Sequence, residues 1–346
     1  MKDSFDRDIH YLRLSVTDKC NLRCIYCMPE TGVEKKRHED ILTVEEIAEI
    51  TKAAAKCGIK KVRITGGEPL VRRGIIDICR HVSETQGICE VCLTTNGILV
   101  PEFASDLKKA GVNRLNISLD SLERETYKEI TRVDSLEAAL HGVDIAIKTG
   151  FDAVKINAVL IGGVNEGDIL KLLDYTIKHK VDVRFIELMP VGQCSDWAKE
   201  KFISSQIVLK TAPQLVEDGA QGVSKLYKLP EALGTVGLIS PISSHFCPTC
   251  NRIRITADGK LKPCLHSAEE INLRGLHGDD LENTIRNAIW GKPKQHNLSP
   301  TNHPLSADSV PSADSVPSAS GTLSWATASL APKEGKRRRN MNEIGG

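Results

Sequence analysis

The chain has 346 residues, 40% apolar and 26% charged, a length that allows two domains and a balance that excludes a wholly disordered or collagen-like protein. Its 46 Lys and Arg residues nearly cancel its 45 Asp and Glu residues, so there is no whole-surface attraction to nucleic acid or to an anionic membrane. No apolar run approaches the roughly 20 residues that span a bilayer, and the acidic start does not resemble a secretion signal. We therefore expect a soluble globular protein that binds neither nucleic acid nor membrane.

From Tyr11 to about Leu188, short β-branched runs alternate with longer amphipathic stretches, which is typical of repeated βα units around a parallel sheet. A capping box at Thr43 and Glu46 marks one helix start, and glycines suited to a left-handed residue mark three helix ends. Periodicity alone does not decide between a partly closed barrel and an open doubly wound sheet. The six predicted strands are Tyr11–Val16, Lys61–Thr65, Glu90–Thr94, Arg114–Leu119, Ala153–Leu160 and Val183–Leu188, and the three glycines are Gly58, Gly111 and Gly150.

After Pro190 the alternation ends, and short strands joined by tight turns predict a smaller, mostly antiparallel C-terminal domain. We place the two domains at residues 1–215 and 216–297. Residues 298–336 are rich in Ser and Pro, contain a tandem SADSVP repeat and are predicted to be a disordered linker. A basic tail, residues 337–346, follows and ends in Gly345 and Gly346. The predicted C-terminal elements are strands Ser224–Leu229, Thr235–Ser240, Arg252–Ala257 and Lys260–Cys264, and a helix at Glu282–Trp290.

Cysteines are numerous and unevenly spaced. Eleven cannot all pair, and clustering in a chain without a signal peptide favours metal ligation over a disulfide framework. Cys20, Cys24 and Cys27 follow the first predicted strand, at the sheet edge where α/β folds build their sites. Three thiolates can hold a [4Fe–4S] cluster and leave one iron open, whereas zinc would need a fourth donor, for which His38 is the nearest candidate. This spacing favours the cluster.

A second trio consists of Cys247, Cys250 and Cys264. His245 and His266 lie close enough in sequence to complete a zinc site. Spacing alone therefore leaves a cluster and zinc about equally favoured.

The loop from Cys20 to Cys27, with Tyr26 before its last cysteine, together with Gly66-Gly67-Glu68-Pro69, resembles the radical S-adenosylmethionine superfamily. The resemblance implies a partial (βα)₆ TIM-like barrel, and S-adenosylmethionine chelated to the open iron and cleaved to a 5′-deoxyadenosyl radical. The residues agree with this, because glycines permit close backbone approach to a ligand and Glu68 can accept a hydrogen bond from an ammonium group.

The combination of this loop with C-x₂-C-x₁₃-C near the end resembles the molybdenum cofactor biosynthesis protein A family of GTP 3′,8-cyclases. The resemblance implies a second [4Fe–4S] cluster that binds guanine, and conversion of GTP to 3′,8-cyclo-7,8-dihydro-GTP, the first step of molybdenum cofactor biosynthesis. It also implies an electron donor for cluster reduction and a downstream cyclic pyranopterin monophosphate synthase as partners, and a homodimer is possible.

Family positions can be transferred to this chain residue by residue. Those implied to line S-adenosylmethionine are Tyr26, Gly67, Ser118 and Met189. Those implied to contact GTP are Arg13, Arg63, Thr94, Lys155, Arg252, Ile253 and Arg254. Those implied to support catalysis are Gly345, Gly346, Arg13, Arg252 and Arg254.

Three of these basic residues, Arg13, Arg63 and Lys155, interrupt apolar strands. Buried cations are costly unless an anion meets them, as a triphosphate would. The alternative is that they face solvent or pair with acids such as Asp18 or Asp120.

Two other functions stay open at this point, a peptide-modifying radical S-adenosylmethionine enzyme and a non-catalytic zinc-bound scaffold. The compartment is uncertain: the mitochondrial matrix if the chain is eukaryotic, as its tandem repeat suggests, and the cytoplasm otherwise. Cys89 and Cys92 lie three apart in a predicted strand and point to opposite faces, which disfavours joint ligation of a metal. We predict that both are buried thiols, as are Cys57, Cys79 and Cys194.

Overall fold

The computed structural model describes residues 1–34, 36–296 and 339–344. A twelve-stranded sheet forms its centre. The strands are β1 Tyr11–Ser15, β2 Lys61–Thr65, β3 Glu90–Thr95, β4 Arg114–Ser118, β5 Ala153–Leu160, β6 Asp182–Glu187, β7 Val216–Gln221, β8 Ser224–Lys228, β9 Val236–Ile239, β10 Arg252–Ile255, β11 Lys260–Lys262 and β12 Ile271–Asn272. The α-helices are α1 Val44–Lys56, α2 Ile75–Glu84, α3 Val100–Lys109, α4 Arg124–Thr131, α5 Leu136–Thr149, α6 Ile169–Lys178, α7 Ile207–Thr211 and α8 Gly278–Trp290.

The six strands β1 to β6 are parallel and lie side by side in chain order. Each is followed by helical chain that returns across one face of the sheet, as the alternating sequence pattern predicts. The strand order is β12-β11-β10-β1-β2-β3-β4-β5-β6-β9-β8-β7. The two edge strands, β12 and β7, do not pair with each other, so the barrel is not closed within the described residues. The prediction of a partial (βα)₆ barrel is confirmed.

The C-terminal strands are mostly antiparallel among themselves, but they extend the barrel sheet instead of forming a sheet of their own. β9 pairs in parallel with β6 and carries β8 and β7, while β10 pairs in parallel with β1 and carries β11 and β12. Sequence pattern indicates where strands occur, but nonlocal pairing of this kind leaves no local signal. Neither β7, whose residues are all exposed, nor the two-residue β12 was predicted.

Local helix signals have the expected roles. Thr43 Oγ1 accepts a hydrogen bond from the Glu46 backbone N–H at 3.1 Å, and the Glu46 carboxylate accepts from the Thr43 N–H at 2.8 Å, which completes the predicted capping box. Gly150 ends α5 in the left-handed conformation with φ 76°. Among the described residues, no helix combines the length and the apolar character needed to cross a membrane.

Alternation along the strands separates the core from the interior of the barrel. Leu12, Leu14, Val62 and Ile64 are fully buried in the hydrophobic core between sheet and helices. The residues between them, Arg13 among them, point to the opposite face. The carboxyl ends of the parallel strands and the inner face of the sheet therefore share one space, the location at which barrel enzymes place their chemistry.

Four of the five other cysteines serve packing. Cys57, Cys79, Cys92 and Cys194 are buried, as predicted, and all eleven cysteines are free thiols. Cys89 is exposed, so the prediction that it is buried is wrong. It lies one residue before β3, outside the alternation that buries Cys92.

Candidate active site

The first cysteine trio lies in a loop that hydrogen bonds hold against α4. The backbone N–H groups of Cys27 and Met28 donate to the Cys24 carbonyl at 2.9 and 3.1 Å, which turns the loop tightly. Arg132, just after α4, donates to the carbonyls of Arg23 and Met28 at 3.0 and 3.1 Å. These contacts fix the loop independently of any bound group.

The electrostatics of the first trio fit a metal cluster. Burial raises the pKa of Cys20 to about 11. Burial, and then the charge of a neighbouring Cys27 thiolate, raises the pKa of Cys24 well above its ordinary value, and burial also raises that of Cys27. Three half-buried thiols, of which Cys24 and Cys27 are destabilised as thiolates by neighbouring cysteines, are stable as ligands when iron compensates their charge. The residues present therefore fit a three-cysteine iron–sulfur site.

The Gly66-Gly67-Glu68-Pro69 turn after β2 packs directly on the chain leading into that loop. The Gly67 N–H donates to the Thr17 carbonyl at 2.7 Å, and the Glu68 N–H donates to the Lys19 carbonyl at 2.8 Å. A Cβ at Gly66 would lie 2.7 Å from the Thr17 carbonyl oxygen, and one at Gly67 would overlap the Lys19 carbonyl. Both glycines are thus required by backbone contact within the protein, in addition to any contact with a ligand.

Glu68 braces the ends of β2 and β3. Its buried carboxylate accepts hydrogen bonds from Thr95 Oγ1 at 2.7 Å, from the Asn96 N–H at 2.7 Å and from the Leu70 N–H at 3.0 Å. Burial nevertheless raises the pKa of Glu68 to about 7. An ammonium group in the adjacent cavity would favour the ionised form.

Tyr26 is joined to the end of the sheet through Asp120. Its hydroxyl donates to Asp120 Oδ2 at 2.8 Å, and Asp120 Oδ1 accepts from the Val159 N–H at 2.8 Å. Burial raises the pKa of Asp120 to about 6. Ser118 and Met189 line the same cavity as Tyr26, beside the first trio.

The second cysteine trio lies at the amino end of β10 and the carboxyl end of β11. Cys247 begins a single helical turn, Cys247–Thr249, and Cys264 follows β11 by two residues. Arg7, in an ion pair with Asp3, donates to the Cys247 carbonyl at 3.0 Å and ties this loop to the start of the chain. Burial raises the pKa of Cys247.

A buried lysine distinguishes the second trio from the first. Lys292 is 2% exposed, and its ammonium donates to the Pro263 carbonyl at 2.6 Å. Although burial acts to raise it, the pKa of Cys250 is lowered by the Lys292 ammonium and by the Arg252 N–H. The trio fits an iron–sulfur site, because three thiols meet at one cavity and the nearby positive charge favours the thiolate form of Cys250.

Histidines also approach this trio. One ligand atom each of His245, Cys247 and His296 lie within 4.8 Å of one another, and His266 packs edge-on against His296 with ring centroids 4.8 Å apart. Of the two histidines considered from the sequence, His245 joins this group, while His296 was not anticipated. The donor set also fits a cation such as zinc.

Three arginines lie side by side on the inner face of the sheet. Arg13 of β1 is in register with Arg63 of β2 on one side and with Arg254 of β10 on the other. Burial, and then the charge of Arg254, lowers the pKa of Arg13 well below its usual range. Burial, and then the charge of Arg252, lowers the pKa of Arg254 to about 10. This arrangement suits a polyanionic ligand, which would offset the repulsion.

Tyr11 lies among these cations. Its hydroxyl accepts a hydrogen bond from Arg63 Nε, and the Arg252 guanidinium lies 5.5 Å from its ring centroid. Although burial acts to raise it, the pKa of Tyr11 is lowered by Arg63, Arg13 and Arg252. Arg63 also donates to Thr94 Oγ1 at 3.2 Å, which brings Thr94 into the same group.

Lys155 and Arg184 extend the basic group along β5 and β6. Lys155 Nζ lies 2.7 Å from Asp182 Oδ2 and donates to Gln221 Oε1 at 2.7 Å, so its acidic partner is neither of the two considered from the sequence. Arg184 donates to the same Gln221 oxygen at 3.0 Å. Burial, and then the charge of Arg63, lowers the pKa of Arg184 to about 10.

One cavity connects these groups. It is lined by both cysteine trios and by most of the residues anticipated from the sequence, namely Arg13, Tyr26, Arg63, Gly67, Thr94, Ser118, Met189, Arg252 and Arg254. Lys155 does not line the cavity but shares the Gln221 oxygen with Arg184, which lines the cavity and was not anticipated. Ile253 is fully buried in the hydrophobic core, on the strand face opposite Arg252 and Arg254, and does not line the cavity. Gly345 and Gly346 lie outside the described residues.

Residues 339–344 lie along this cavity. Met341 and Asn342 line it, and Asn342 Nδ2 donates to the Asp18 carbonyl at 3.0 Å. Arg254 Nη1 donates to the Ile344 carbonyl at 3.4 Å. The chain end therefore reaches the basic group.

Family models match two consecutive parts of the chain. The Radical SAM superfamily model matches residues 14–176, which include the first trio. The Molybdenum Cofactor Synthesis C model matches residues 181–298, which include the second.

Curated proteins similar to this chain carry one name. GTP 3′,8-cyclase of Alkaliphilus metalliredigens is 50% identical over 315 residues, which are 90% of this chain and 98% of that protein. GTP 3′,8-cyclase of Alkaliphilus oremlandii is 48% identical over 308 residues, 88% of this chain and 96% of that protein. GTP 3′,8-cyclase of Peptoclostridium acidaminophilum is 49% identical over 302 residues, 86% and 93% respectively.

Solved structures share the fold at low identity. SuiB of Streptococcus suis bound to S-adenosylmethionine matches with a TM-score of 0.60 and 18% identity, over 81% of this chain and 68% of that chain. The protein anSMEcpe with bound AdoMet matches with a TM-score of 0.52 and 14% identity, over 84% of this chain and 82% of that chain. At such identities the similarity concerns the fold alone.

Proposed function

Because this chain belongs to the GTP 3′,8-cyclase family of the radical S-adenosylmethionine superfamily, we propose that it converts GTP to 3′,8-cyclo-7,8-dihydro-GTP in the cavity described above. The observation that carries this proposal is that two cysteine trios and a row of arginines in register line one cavity. The trios suit two redox-active clusters, and the arginines suit a triphosphate between them.

The proposed cofactors are S-adenosylmethionine and two [4Fe–4S] clusters, one held by Cys20, Cys24 and Cys27 and one by Cys247, Cys250 and Cys264. When bound, the first cluster and S-adenosylmethionine supply a 5′-deoxyadenosyl radical able to take hydrogen from the ribose C3′ of GTP. The protein's own task is to place the two molecules and to exclude water.

The chain places S-adenosylmethionine through groups that are already fixed. Glu68 is positioned by three donors and can accept from the amino group of the ligand. Asp120 orients Tyr26, and Gly67, Ser118 and Met189 complete the surface beside the first trio. A preformed surface of this kind reduces the entropy lost on binding.

GTP would be placed mainly by charge. Arg13, Arg63, Arg252 and Arg254 line the cavity with Thr94 and Arg184, and Lys155 donates to the same Gln221 oxygen as Arg184. Each charge-assisted hydrogen bond contributes about 1.5–3 kcal/mol, so three or four contribute about 5–12 kcal/mol toward the cost of association. In this proposal Gly345 and Gly346, which lie outside the described residues, support catalysis.

We further propose an electron donor and a downstream cyclic pyranopterin monophosphate synthase as partners, and a homodimer as the assembly. The relatives compared above are bacterial, which favours the cytoplasm over the mitochondrial matrix.

A zinc site at the second trio is the rival that a specific observation supports, because His245 and His296 approach Cys247. It would make the C-terminal strands a structural unit without a second cluster.

The proposal assigns a different role to each cysteine trio, and substitutions in each trio test it. Anaerobically reconstituted Cys24→Ser should lose reductive cleavage of S-adenosylmethionine. Cys264→Ser should retain that cleavage but lose the cyclic product, because it disturbs only the guanine side of the cavity. Both are measured by chromatography of 5′-deoxyadenosine and of the GTP-derived product. Equal loss of both reactions in the two variants would contradict the assignment.

A further inference from the structure

Arg339, in the described part of the C-terminal tail, is held by two carboxylates, those of Asp258 and Glu270. Its guanidinium donates to Asp258 Oδ1 at 3.1 Å and Oδ2 at 2.9 Å, and to Glu270 Oε1 at 2.6 Å and Oε2 at 2.8 Å. The Arg339 side chain is only 14% exposed. Two bidentate pairs on one partly buried guanidinium form a far more specific contact than a single exposed ion pair.

The two carboxylates are positioned by contacts other than Arg339. Asp258 lies in the turn between β10 and β11, where Thr256 Oγ1 donates to Oδ1 at 2.6 Å. Glu270 lies just before β12, and Lys262 Nζ is 3.4 Å from its Oε1. Although burial acts to raise it, Arg339 lowers the pKa of Asp258 to about 2, and Arg339 likewise lowers that of Glu270. The receptor is therefore anionic at neutral pH.

The residues after Arg339 are closely packed. The Asn340 N–H donates to Glu343 Oε2 at 2.8 Å, and the Glu343 N–H donates to the Asn340 carbonyl at 3.0 Å, which closes a single turn. A Cβ at Gly192 would lie 2.8 Å from the Asn340 Cα, so this glycine makes room for the tail backbone. Ile344 is 2% exposed. Fixing Arg339 thus fixes the course of the chain as far as Ile344.

The length of intervening chain explains why such a contact is needed. Forty-two residues, 297–338, separate His296 from Arg339. The effective concentration of a tethered segment falls as its tether lengthens, and ordering the segment costs conformational entropy. Specific contacts of the tail itself must offset both costs.

We propose that Arg339, Asp258 and Glu270 form a tail anchor, and that Arg339 is a positioning residue which seats the C-terminal segment against the cavity. The consequence for turnover rests on the proposed function, since it assumes that the residues after Ile344 act on GTP. The anchor itself does not depend on that function. It selects Arg339 from the basic run Lys336–Arg339, in which sequence alone makes Arg337, Arg338 and Arg339 equivalent.

Hydrogen exchange of the C-terminal peptide in the full-length, anaerobically reconstituted protein tests the anchor. Arg339→Gln should accelerate exchange of the Glu343 and Ile344 amides at least tenfold, because the turn that protects them loses its attachment. Arg339→Lys should give intermediate exchange, since an ammonium cannot pair with two carboxylates through a planar fork. Arg337→Gln is the matched control and should leave exchange unchanged.

A double-mutant cycle and salt separate the ion pairs from general loosening. Glu270→Gln should accelerate the same amides, and adding it to Arg339→Gln should have no further effect. High salt should accelerate exchange in the unsubstituted protein and not in Arg339→Gln. Exchange in β4 should stay constant in all variants, which excludes unfolding.

Unchanged tail exchange in Arg339→Gln, or equal acceleration in Arg337→Gln, would overturn the anchor. Product formation from GTP, measured on the same samples, should fall at least tenfold in Arg339→Gln. A full rate with accelerated tail exchange would overturn the positioning role. If the unsubstituted protein makes no cyclic product, the proposed function fails while the exchange data still decide the anchor.

Discussion

At the scale of single residues, the row of Arg254, Arg13 and Arg63 sets the character of the cavity. Like charges in register on adjacent strands destabilise a sheet, and burial strengthens their repulsion. The lowered pKa of Arg13 expresses this cost, because the folded protein disfavours its charge. An anionic ligand reverses the effect, so the same residue should oppose folding and favour binding.

Arg13→Met should therefore separate stability from function. The free energy of unfolding without GTP should be unchanged or higher, whereas the Kd for GTP should rise roughly 10- to 150-fold, the equivalent of one lost charge-assisted contact. Anaerobic urea unfolding and equilibrium dialysis measure the two quantities. Arg80→Met, at an exposed ion pair with Asp77, is the control and should change neither. Loss of stability in Arg13→Met without loss of affinity would contradict the assignment.

Titration of Glu68 should make the free energy of unfolding depend on pH, and the sign of this dependence can be worked out. Its pKa is raised to about 7 in the folded protein, above the ordinary value of 4.5. Between these pH values the folded state holds a proton that the unfolded state has lost, so the free energy of unfolding should fall as pH rises from 4.5 to 7. The expected change is on the order of 1–3 kcal/mol.

Urea unfolding without S-adenosylmethionine at pH 5.5 and 7.5 measures this change. Glu68→Gln should be less stable than the unsubstituted protein at pH 5.5 and should show a flatter profile. An identical slope in both proteins would show that Glu68 titrates normally.

Residue-level prediction succeeded where strand alternation carries the information. Arg13 and Arg63 were singled out because they interrupt apolar strands, and both line the cavity. Arg184, between Val183 and Phe185, carries the same signal and was not predicted, although it also lines the cavity. The resemblance implied that Ile253 contacts GTP. Its side chain is apolar, and strand alternation places it in the hydrophobic core.

At the scale of elements, close backbone contacts hold the strand ends that carry the site. α5 approaches the turn after β3 at Gly142, where an added Cβ would overlap the Gly97 carbonyl. That turn continues from Thr94 and Thr95, which contact Arg63 and Glu68. The packing of a helix on the outside of the barrel thus sets the position of groups inside it.

Gly142→Ala should accordingly destabilise the protein by about 1–3 kcal/mol, since the helix or the turn must move. Gly167→Ala is the matched control: Gly167 has no atom within 4 Å of an added Cβ, and the change should stay within about 0.5 kcal/mol. Urea unfolding of both variants decides the matter, and equal stability would show that α5 yields without cost.

Strands and helix ends could be predicted from the sequence wherever apolar residues alternate or a capping residue is present. Lys61–Thr65 and Ala153–Leu160 were predicted with the bounds observed, and the Thr43 capping box forms as expected. β7 was missed because its residues are polar and exposed, so that only its pairing with β8 makes it a strand. Such a strand has no burial pattern to detect.

At the scale of the whole molecule, the C-terminal strands bring the second trio to the first. β10 pairs with β1, which precedes Cys20, so the chain on either side of both trios belongs to one sheet. A fold with two independent sheets would not guarantee this proximity. The two cysteine trios could be recognised in the sequence. That they line a common cavity depends on the pairing of two strands, β1 and β10, that lie some 240 residues apart in the chain.

The sequence therefore did not predict how the C-terminal strands join the barrel sheet. The partial barrel followed from alternation and from the resemblance, whereas the C-terminal strands were expected as a separate unit. The ion pairs of Arg339 with Asp258 and Glu270 join residues distant in sequence, and no local pattern indicates them. Nothing in the chain before folding distinguishes Arg339 from the arginines beside it.

The central claim is that each cysteine trio holds an iron–sulfur cluster and that both clusters face one cavity. The metal content per chain tests this claim most directly. The anaerobically reconstituted protein should contain about eight irons and no stoichiometric zinc, and the Cys247, Cys250 and Cys264 triple alanine variant should contain about four irons. GTP should change the electron paramagnetic resonance spectrum of the former and not of the latter. Four irons with one zinc in the unsubstituted protein, the zinc being lost in the triple variant, would contradict the account.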